Sequence, residues 1–167
     1  MAKISSRGEI VETSGELPEV GAQAPGFELR KADLSAVTLD HYGGSRLVLN
    51  IFPSIDTPTC AKSVRQFNER AAALPDTHVL CVSADLPFAL SRFCGAEGIE
   101  RVETASVYRS PAFGRDYGVY MADGRLGGLL ARAVVVCDRD GTVIHRELVP
   151  EIAQEPDYEA VAAALAG

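Results

Sequence analysis

Hydrophobic residues fall into a few short runs along the chain, separated by polar turn segments. Two of these runs, residues 46–52 (RLVLNIF) and 78–84 (HVLCVSA), are almost wholly apolar. Continuous apolar runs of this length are typical of strands that are buried on both faces of a sheet. The pattern therefore predicts two central strands at these positions.

Between and after these strands, the apolar positions take helical spacing. The steps of three and four residues from Pro58 to about Leu74 predict an amphipathic helix. Residues 85–94 predict a short second helix, with Asp85 as its N-cap and Gly95 just past its end. Residues 157–167 (DYEAVAAALAG) predict a C-terminal helix.

Shorter segments complete the predicted sheet. Residues 36–40 (AVTLD) and 102–108 (VETASVY) are further candidates for short strands. Residues 129–138 and 142–149 flank the turn Arg139-Asp140-Gly141, so they predict a hairpin with an Asp-Gly signal.

The order of these elements indicates the fold class. Residues 8–20 alternate around a Ser14-Gly15 turn, which predicts an N-terminal hairpin within residues 1–20. Alternating strands and helices, then a closing hairpin and helix, predict an α/β fold whose central mixed sheet carries helices on both faces. The 167 residues suit one domain spanning 1–167.

Composition and charge narrow the functional classes. The chain is 47% hydrophobic and 23% charged, with a formal net charge of −7. Nucleic acids and anionic membranes need a basic face, so neither is expected as a partner. No apolar run reaches the roughly 20 residues of a membrane span, and the N-terminus has no apolar signal core. The cytoplasm is therefore the expected location.

The cysteines constrain the chemistry further. Cys60, Cys81, Cys94 and Cys137 form no CxxC pair, so neither a zinc clip nor a dithiol redox motif is expected. The three histidines stand at no metal-ligand spacing, and no metal is expected. In a reducing compartment any disulfide is expected to be transient. Cys81 and Cys137 lie in strand patterns, where ordinary packing roles are expected.

Cys60 stands where the first buried strand has ended and a helix begins. Thr57 suits the N-cap and Pro58 the first helical position, which puts Cys60 in the first turn, facing the core. Unpaired N–H groups and the helix dipole favour a nucleophilic thiolate there. The alternative is that Cys60 is a small buried hydrophobe. The rigid, polar turn before it favours the reactive interpretation.

Arg132 interrupts the apolar run at residues 129–138. A buried arginine is costly unless it meets an anion or several acceptors. Arg132 can lie at the start of the strand and reach a surface carboxylate, or it can face Cys60 and stabilise the thiolate. The residues alone leave both interpretations open.

Several blocks of the sequence together resemble one family. Residues 53–60 (PSIDTPTC) match the P-x-x-x-T-x-x-C signature of peroxiredoxins. Further blocks follow in the same order, at 79–99 (VLCVSADLPFALSRFCGAEGI), 122–136 (ADGRLGGLLARAVVV) and 155–167 (EPDYEAVAAALAG). Nearly the whole chain resembles the bacterial thiol peroxidase branch, the atypical two-cysteine peroxiredoxins. The resemblance implies a thioredoxin-like fold.

The resemblance also implies roles for five residues. Cys60 would be the peroxidatic cysteine and Cys94 the resolving cysteine. Thr57 would hold the peroxide and the thiolate, Pro53 would shield the site, and Arg132 would hydrogen-bond both the cysteine and the peroxide. The implied activity is a thiol-dependent peroxidase that reduces hydrogen peroxide and organic (alkyl or lipid) hydroperoxides without a metal or an organic cofactor.

The implied cycle joins the two cysteines. Cys60 is oxidised to a sulfenic acid, Cys94 resolves it as an intramolecular disulfide, and thioredoxin restores both thiols. The family also implies a homodimer and an antioxidant role in cell redox homeostasis. A disulfide needs Cα atoms within roughly 7 Å, so we expect the short helix that carries Cys94 to unwind on oxidation.

Two other functions could use the same residues. A cysteine hydrolase would need a histidine base beside Cys60, and the sequence shows no recognisable partner motif. A non-enzymatic redox sensor would use the Cys60–Cys94 pair to alter a partner surface. Sustained peroxide consumption would distinguish an enzyme from such a sensor.

Overall fold

The computed structural model describes residues 1–167 as nine strands and four α-helices. The strands are Lys3–Ser6 (β1), Glu9–Glu12 (β2), Glu28–Lys31 (β3), Ala36–Thr38 (β4), Arg46–Ile51 (β5), Thr77–Ser83 (β6), Glu103–Ser106 (β7), Ala133–Cys137 (β8) and Val143–Leu148 (β9). The helices are Pro58–Arg70 (α1), Pro87–Glu97 (α2), Ala112–Asp116 (α3) and Tyr158–Ala166 (α4).

Seven of the strands form one mixed sheet in the order β4-β3-β7-β6-β5-β8-β9. The pairs β5–β6 and β6–β7 are parallel, and the other neighbours are antiparallel. The two strands predicted from apolar runs, β5 and β6, lie side by side in the middle of the sheet, which confirms that prediction. β1 and β2 form a separate antiparallel hairpin.

Two hydrophobic cores cover the two faces of the sheet. Along β5, Leu47, Leu49 and Ile51 join one core, whereas Val48 joins the other, as expected when alternate side chains point to opposite faces. Helices α1, α2 and α4 pack on the core that contains Val48, and α3 packs on the other. The predicted mixed sheet with helices on both faces is confirmed. No helix combines the length and apolarity needed to cross a bilayer.

The N-terminal hairpin exists, but its predicted position was wrong. The turn lies at Arg7-Gly8, not at Ser14-Gly15, and both turn residues have positive φ (52° and 84°). Two-residue turns of this kind match the twist of the paired strands. The backbone N–H of Ser14 instead donates to the carbonyl of Tyr120 at 2.8 Å. Strand β3 was not predicted, because only Leu29 in it is fully buried.

The second helix also differs from its prediction. Leu86 is its N-cap, Pro87 its first residue, and Gly98 ends it with φ +65°. A proline suits the first helical position and a glycine suits this left-handed cap, so the helix is shifted towards the C-terminus. Asp85 is therefore not the N-cap, and Gly95 lies inside the helix.

Candidate active site

Cys60 lies in the first turn of α1, shortly after the end of β5. Thr57 is the N-cap, with extended backbone (φ −103°, ψ 146°), and Pro58 is the first helical residue, as predicted. Cys60 is 0% exposed and packs in the same core as Val64 and Phe67, which follow it on the buried face of the helix. The thiol therefore sits at the positive end of a helix and away from bulk water.

Arg132 lies immediately before β8, not within it, and is only 2% exposed. Its Nη2 donates to Sγ of Cys60 at 3.3 Å, and its Nε donates to the carbonyl of Ile152 at 2.9 Å. Nη1 is buried without a hydrogen-bond partner. A buried guanidinium needs a negative partner, and a Cys60 thiolate supplies one. Of the two interpretations of Arg132, the structure supports the one in which it faces Cys60.

A cavity of about 240 Å³ opens beside this pair. Pro53, Thr57 and Arg132 line it, while Cys60 itself lies behind them and is not part of the lining. Arg132 thus lines the cavity and also contacts the thiol of Cys60. Its Nη1 is the one guanidinium nitrogen without a hydrogen-bond partner, and it is screened from solvent.

Thr57 and Pro53 occupy the predicted wall of the site. The hydroxyl of Thr57 donates to the carbonyl of Ser54 at 2.9 Å, and it makes no side-chain cap to the helix. In this state the hydroxyl proton is bound to the carbonyl of Ser54, and the hydroxyl oxygen can still accept a hydrogen bond. Pro53 is buried and lines the cavity. The roles of both residues towards a peroxide stay predictions.

Asp85 holds this wall in place, a role that the sequence interpretation missed. Its carboxylate accepts hydrogen bonds from the backbone N–H of Ile55 (2.7 Å) and the hydroxyls of Ser54 (2.7 Å) and Ser83 (2.6 Å). The carboxyl ends of the parallel strands β5 and β6 meet at one edge of the sheet. Polar residues just after both strand ends were the signal that could have revealed this contact.

We expect Asp85→Asn to slow the oxidation of Cys60 by roughly 10- to 100-fold. An amide has only one acceptor oxygen and brings two donors of its own, so it cannot accept from all three present donors. The segment that positions Thr57 and the start of α1 would then loosen. Stopped-flow oxidation by hydrogen peroxide measures the rate. Asp56→Asn is the matched control, because its carboxylate pairs with the exposed Arg92. Equal rates for both variants would contradict the prediction.

Arg132→Lys is expected to lower the rate of Cys60 oxidation by about 100-fold, in line with the loss of one charge-stabilising donor. A single ammonium cannot reproduce the fork that reaches both Cys60 and Ile152. The same stopped-flow measurement tests this, with thermal unfolding as a check on the fold. Arg146→Lys is the control, since Arg146 bonds the carbonyl of Leu17, which packs on the opposite face of the sheet. An unchanged rate in Arg132→Lys would rule out the role given to Arg132.

Cys94 lies in α2 and is half-buried, with Sγ 4.0 Å from the hydroxyl of Thr104. It lines a different cavity, of about 490 Å³, that neither Thr57 nor Arg132 lines. Burial raises the pKa of the Cys94 thiol. All four cysteines are free, so the structure describes the dithiol state. In this state Cys94 does not share the cavity beside Cys60.

Ion pairs tie α2 to α1 and to the segment before it. Arg65 of α1 donates two hydrogen bonds, of 2.8 and 3.1 Å, to the carboxylate of Glu97 at the end of α2. Arg92 of α2 pairs with Asp56 at 2.7 Å. Both pairs are exposed, so each contributes modestly to stability. Both pairs hold α2 in its present position, so the unwinding predicted on oxidation would work against them.

The other two cysteines are buried in strands, as predicted. Cys81 is in β6 and Cys137 ends β8. Burial raises the pKa of each thiol to about 12, so both stay protonated near pH 7. No group of three or more His, Cys, Asp or Glu side chains is arranged to hold a metal ion.

Known sequences that are similar to this chain belong to one family of proteins. The sequence model of the redoxin family matches residues 19–162. A thiol peroxidase of Mycobacterium tuberculosis is 60% identical over 165 residues, which cover 99% of each chain. A thiol peroxidase of Corynebacterium glutamicum is 53% identical over the same length and coverage.

Solved structures agree on the fold. A peroxiredoxin-like protein from Aquifex aeolicus matches with a TM-score of 0.93 and 36% identity, covering 99% of this chain and 96% of that one. A thiol peroxidase from Chromobacterium violaceum matches with a TM-score of 0.89 at 20% identity, covering 98% and 95%. The predicted thioredoxin-like fold is confirmed.

Proposed function

This chain belongs to the redoxin family and is a thiol-dependent peroxidase of the peroxiredoxin type, and we propose that it reduces hydroperoxides through the thiolate of Cys60. The observation that carries this assignment is the 3.3 Å hydrogen bond from the buried Arg132 to Cys60 Sγ. A buried cation beside a buried sulfur favours the thiolate, which is the form that attacks a peroxide.

In the first proposed step, the Cys60 thiolate attacks the terminal oxygen of the hydroperoxide. A sulfur–oxygen bond forms, the O–O bond breaks, and its electron pair leaves with the second oxygen. That oxygen takes up a proton and departs as water or an alcohol, leaving Cys60 as a sulfenic acid. Arg132 stabilises the negative charge that develops on the departing oxygen. The pocket walls formed by Pro53 and Thr57 hold the peroxide against the sulfur.

In the second proposed step, the thiolate of Cys94 attacks the sulfur of Cys60. A disulfide forms, the sulfur–oxygen bond breaks, and the hydroxyl leaves as water after taking up a proton. Thioredoxin then supplies two electrons by thiol–disulfide exchange and restores both thiols. A cycle with this reductant belongs in a reducing compartment, and we assign the protein to the cytoplasm.

The proposed homodimer has an available surface at the start of α2. Leu86, Phe88 and Tyr108 are large apolar side chains that are 52%, 65% and 45% exposed. They surround one shallow depression. Because Leu86 directly follows Asp85, pairing at this surface would lie close to the segment that positions Cys60.

The proposed function is tested by coupled turnover. The reduced protein is mixed with peroxide, thioredoxin, thioredoxin reductase and NADPH, and NADPH oxidation is followed. We expect sustained turnover that needs every component. Oxidation that stops after one equivalent of peroxide would favour the non-enzymatic sensor. Covalent labelling of Cys60 by an ester without peroxide consumption would favour a hydrolase, although no histidine lines the cavity.

A further inference from the structure

We propose that Arg7 and Arg125, at the rim of the cavity beside Cys60, select hydroperoxides that carry a carboxylate on an apolar chain. The inference rests on the proposed function of Cys60 and specifies its preferred substrate class. Both arginines line the same cavity as Arg132. The peroxide group would lie against Arg132, and the carboxylate would lie at the rim.

Arg7 reaches this position because the N-terminal hairpin is fastened beside the site. The N–H of Ser5 donates to the carbonyl of Pro150 at 2.7 Å, and the N–H of Ile152 donates to the carbonyl of Ser5 at 2.9 Å. The carbonyl of Ile152 in turn accepts from Arg132. These hydrogen bonds therefore fix the hairpin turn that carries Arg7 close to Arg132, the arginine that contacts the thiol.

Arg125 is carried by a second turn on the rim of the same cavity. The bridge between Tyr120 and Leu130 closes its base, and the N–H of Gly128 donates to the carbonyl of Met121 at 2.8 Å. Within the turn, the N–H of Gly127 donates to the carbonyl of Gly124 at 3.0 Å. Backbone hydrogen bonds within the turn and at its base therefore fix the conformation of the loop that carries Arg125.

The charges of the cavity favour an anion. Neither Arg7 nor Arg125 takes part in any of the nine salt bridges, and both are exposed. One carboxylate, Glu151, also lines the cavity, but it accepts the backbone N–H of Ala153 at 3.3 Å. The Cys60 thiolate offsets the charge of Arg132, so Arg7 and Arg125 face one carboxylate, on a chain whose net charge is −7. This local excess of positive charge attracts anionic substrates.

Apolar side chains form part of the cavity lining, beside the polar residues Ser6, Thr57 and Thr59. Leu126 and Leu129 are half-buried and line it, together with Ile152 and Pro53. A neutral, fully polar peroxide would leave these side chains unused, whereas an alkyl chain would cover them. The lining therefore fits an amphiphilic anion with an apolar segment between its hydroperoxide and its carboxylate.

A pair of substrates that differ only in charge tests the inference. We would measure kcat/KM for a medium-chain hydroperoxy fatty acid and for its methyl ester, with tert-butyl hydroperoxide as a small neutral reference. At low salt the unaltered protein is expected to prefer the acid over the ester by about 10-fold, since two partly exposed charge contacts are lost in the ester. Raising salt from roughly 0.01 M to 0.5 M should reduce kcat/KM for the acid only.

The double variant Arg7→Gln/Arg125→Gln is expected to abolish the preference for the acid and to leave the rate with tert-butyl hydroperoxide unchanged. Arg101→Gln is the control, because this exposed arginine lies outside the cavity and also makes no salt bridge. An acid preference that survives in the double variant, or that is absent from the unaltered protein, overturns the inference. If even tert-butyl hydroperoxide and hydrogen peroxide fail to oxidise Cys60, the proposed function itself falls, and the selectivity falls with it.

Discussion

Replacing Cys60 with serine is expected to abolish peroxide turnover, lowering the rate by at least about 1000-fold, as expected for the loss of a catalytic nucleophile. A serine hydroxyl stays neutral near pH 7, and its oxygen attacks peroxides far less readily than a thiolate sulfur. The hydrogen bond from Arg132 then has no anion to stabilise. Coupled NADPH oxidation measures the turnover, and a sulfenic acid trap followed by mass spectrometry measures the first step.

Cys137→Ser is the matched control for this variant. Cys137 is also buried and free, but burial raises the pKa of its thiol to about 12, so it has no thiolate to lose near pH 7. We expect this variant to retain most of the turnover. Comparable activity in Cys60→Ser and Cys137→Ser would show that the nucleophile lies elsewhere.

Replacing Cys94 with serine is expected to separate the two steps of the cycle. Cys60 should still react with one equivalent of peroxide at close to the unaltered rate, since Cys94 is absent from the cavity beside Arg132. Thioredoxin-linked turnover should fall to background, because no internal thiol can convert the sulfenic acid into a disulfide. A burst of one equivalent followed by a halt is the expected trace.

The physical reason lies in the state of α2. Burial raises the pKa of the Cys94 thiol, which keeps it protonated in the present fold. Unwinding of α2 would expose it to water, restore its ordinary acidity and carry it towards Cys60. The pair Arg65–Glu97 joins the end of α2 to α1 and would oppose this movement. Cys81→Ser is the control variant, and full thioredoxin-linked turnover in Cys94→Ser would contradict the role given to Cys94.

Local signals were sufficient to predict the start of α1 and its cysteine. The proline at position 58 and the threonine before it mark a helix start whatever the rest of the chain does. The runs that became β5 and β6 were equally clear, because strands buried on both faces need no partner to be recognised. These features placed Cys60 correctly before any tertiary contact was known.

Features that depend on tertiary contacts were harder to predict. Asp85 looks like a helix cap in the sequence, yet its carboxylate accepts hydrogen bonds from Ser54, Ile55 and Ser83. These residues lie beside Asp85 only once β5 and β6 pair. Strand β3 carries too few apolar residues to stand out, and it forms because β4 and β7 flank it.

The two arginines at the rim of the cavity could not be predicted either, because only tertiary contacts bring them together. Arg7 and Arg125 are 118 positions apart in the sequence. Arg125 lies within the block 122–136, but the resemblance gives it no role, and only the docking of the N-terminal hairpin beside Ile152 brings Arg7 to the cavity that Arg125 also lines. Arg132 was different, since an arginine within an apolar run already indicates a specific partner, either a surface carboxylate or the Cys60 thiolate.

The most direct test of the cycle is to map the disulfide that forms when the fully reduced protein meets one equivalent of peroxide. Proteolysis without reductant, followed by mass spectrometry, identifies the joined peptides. We expect a single intramolecular bond between Cys60 and Cys94, formed only after Cys60 has been oxidised. A bond that excludes either residue, or peroxide consumption that leaves Cys60 as a free thiol, would contradict it.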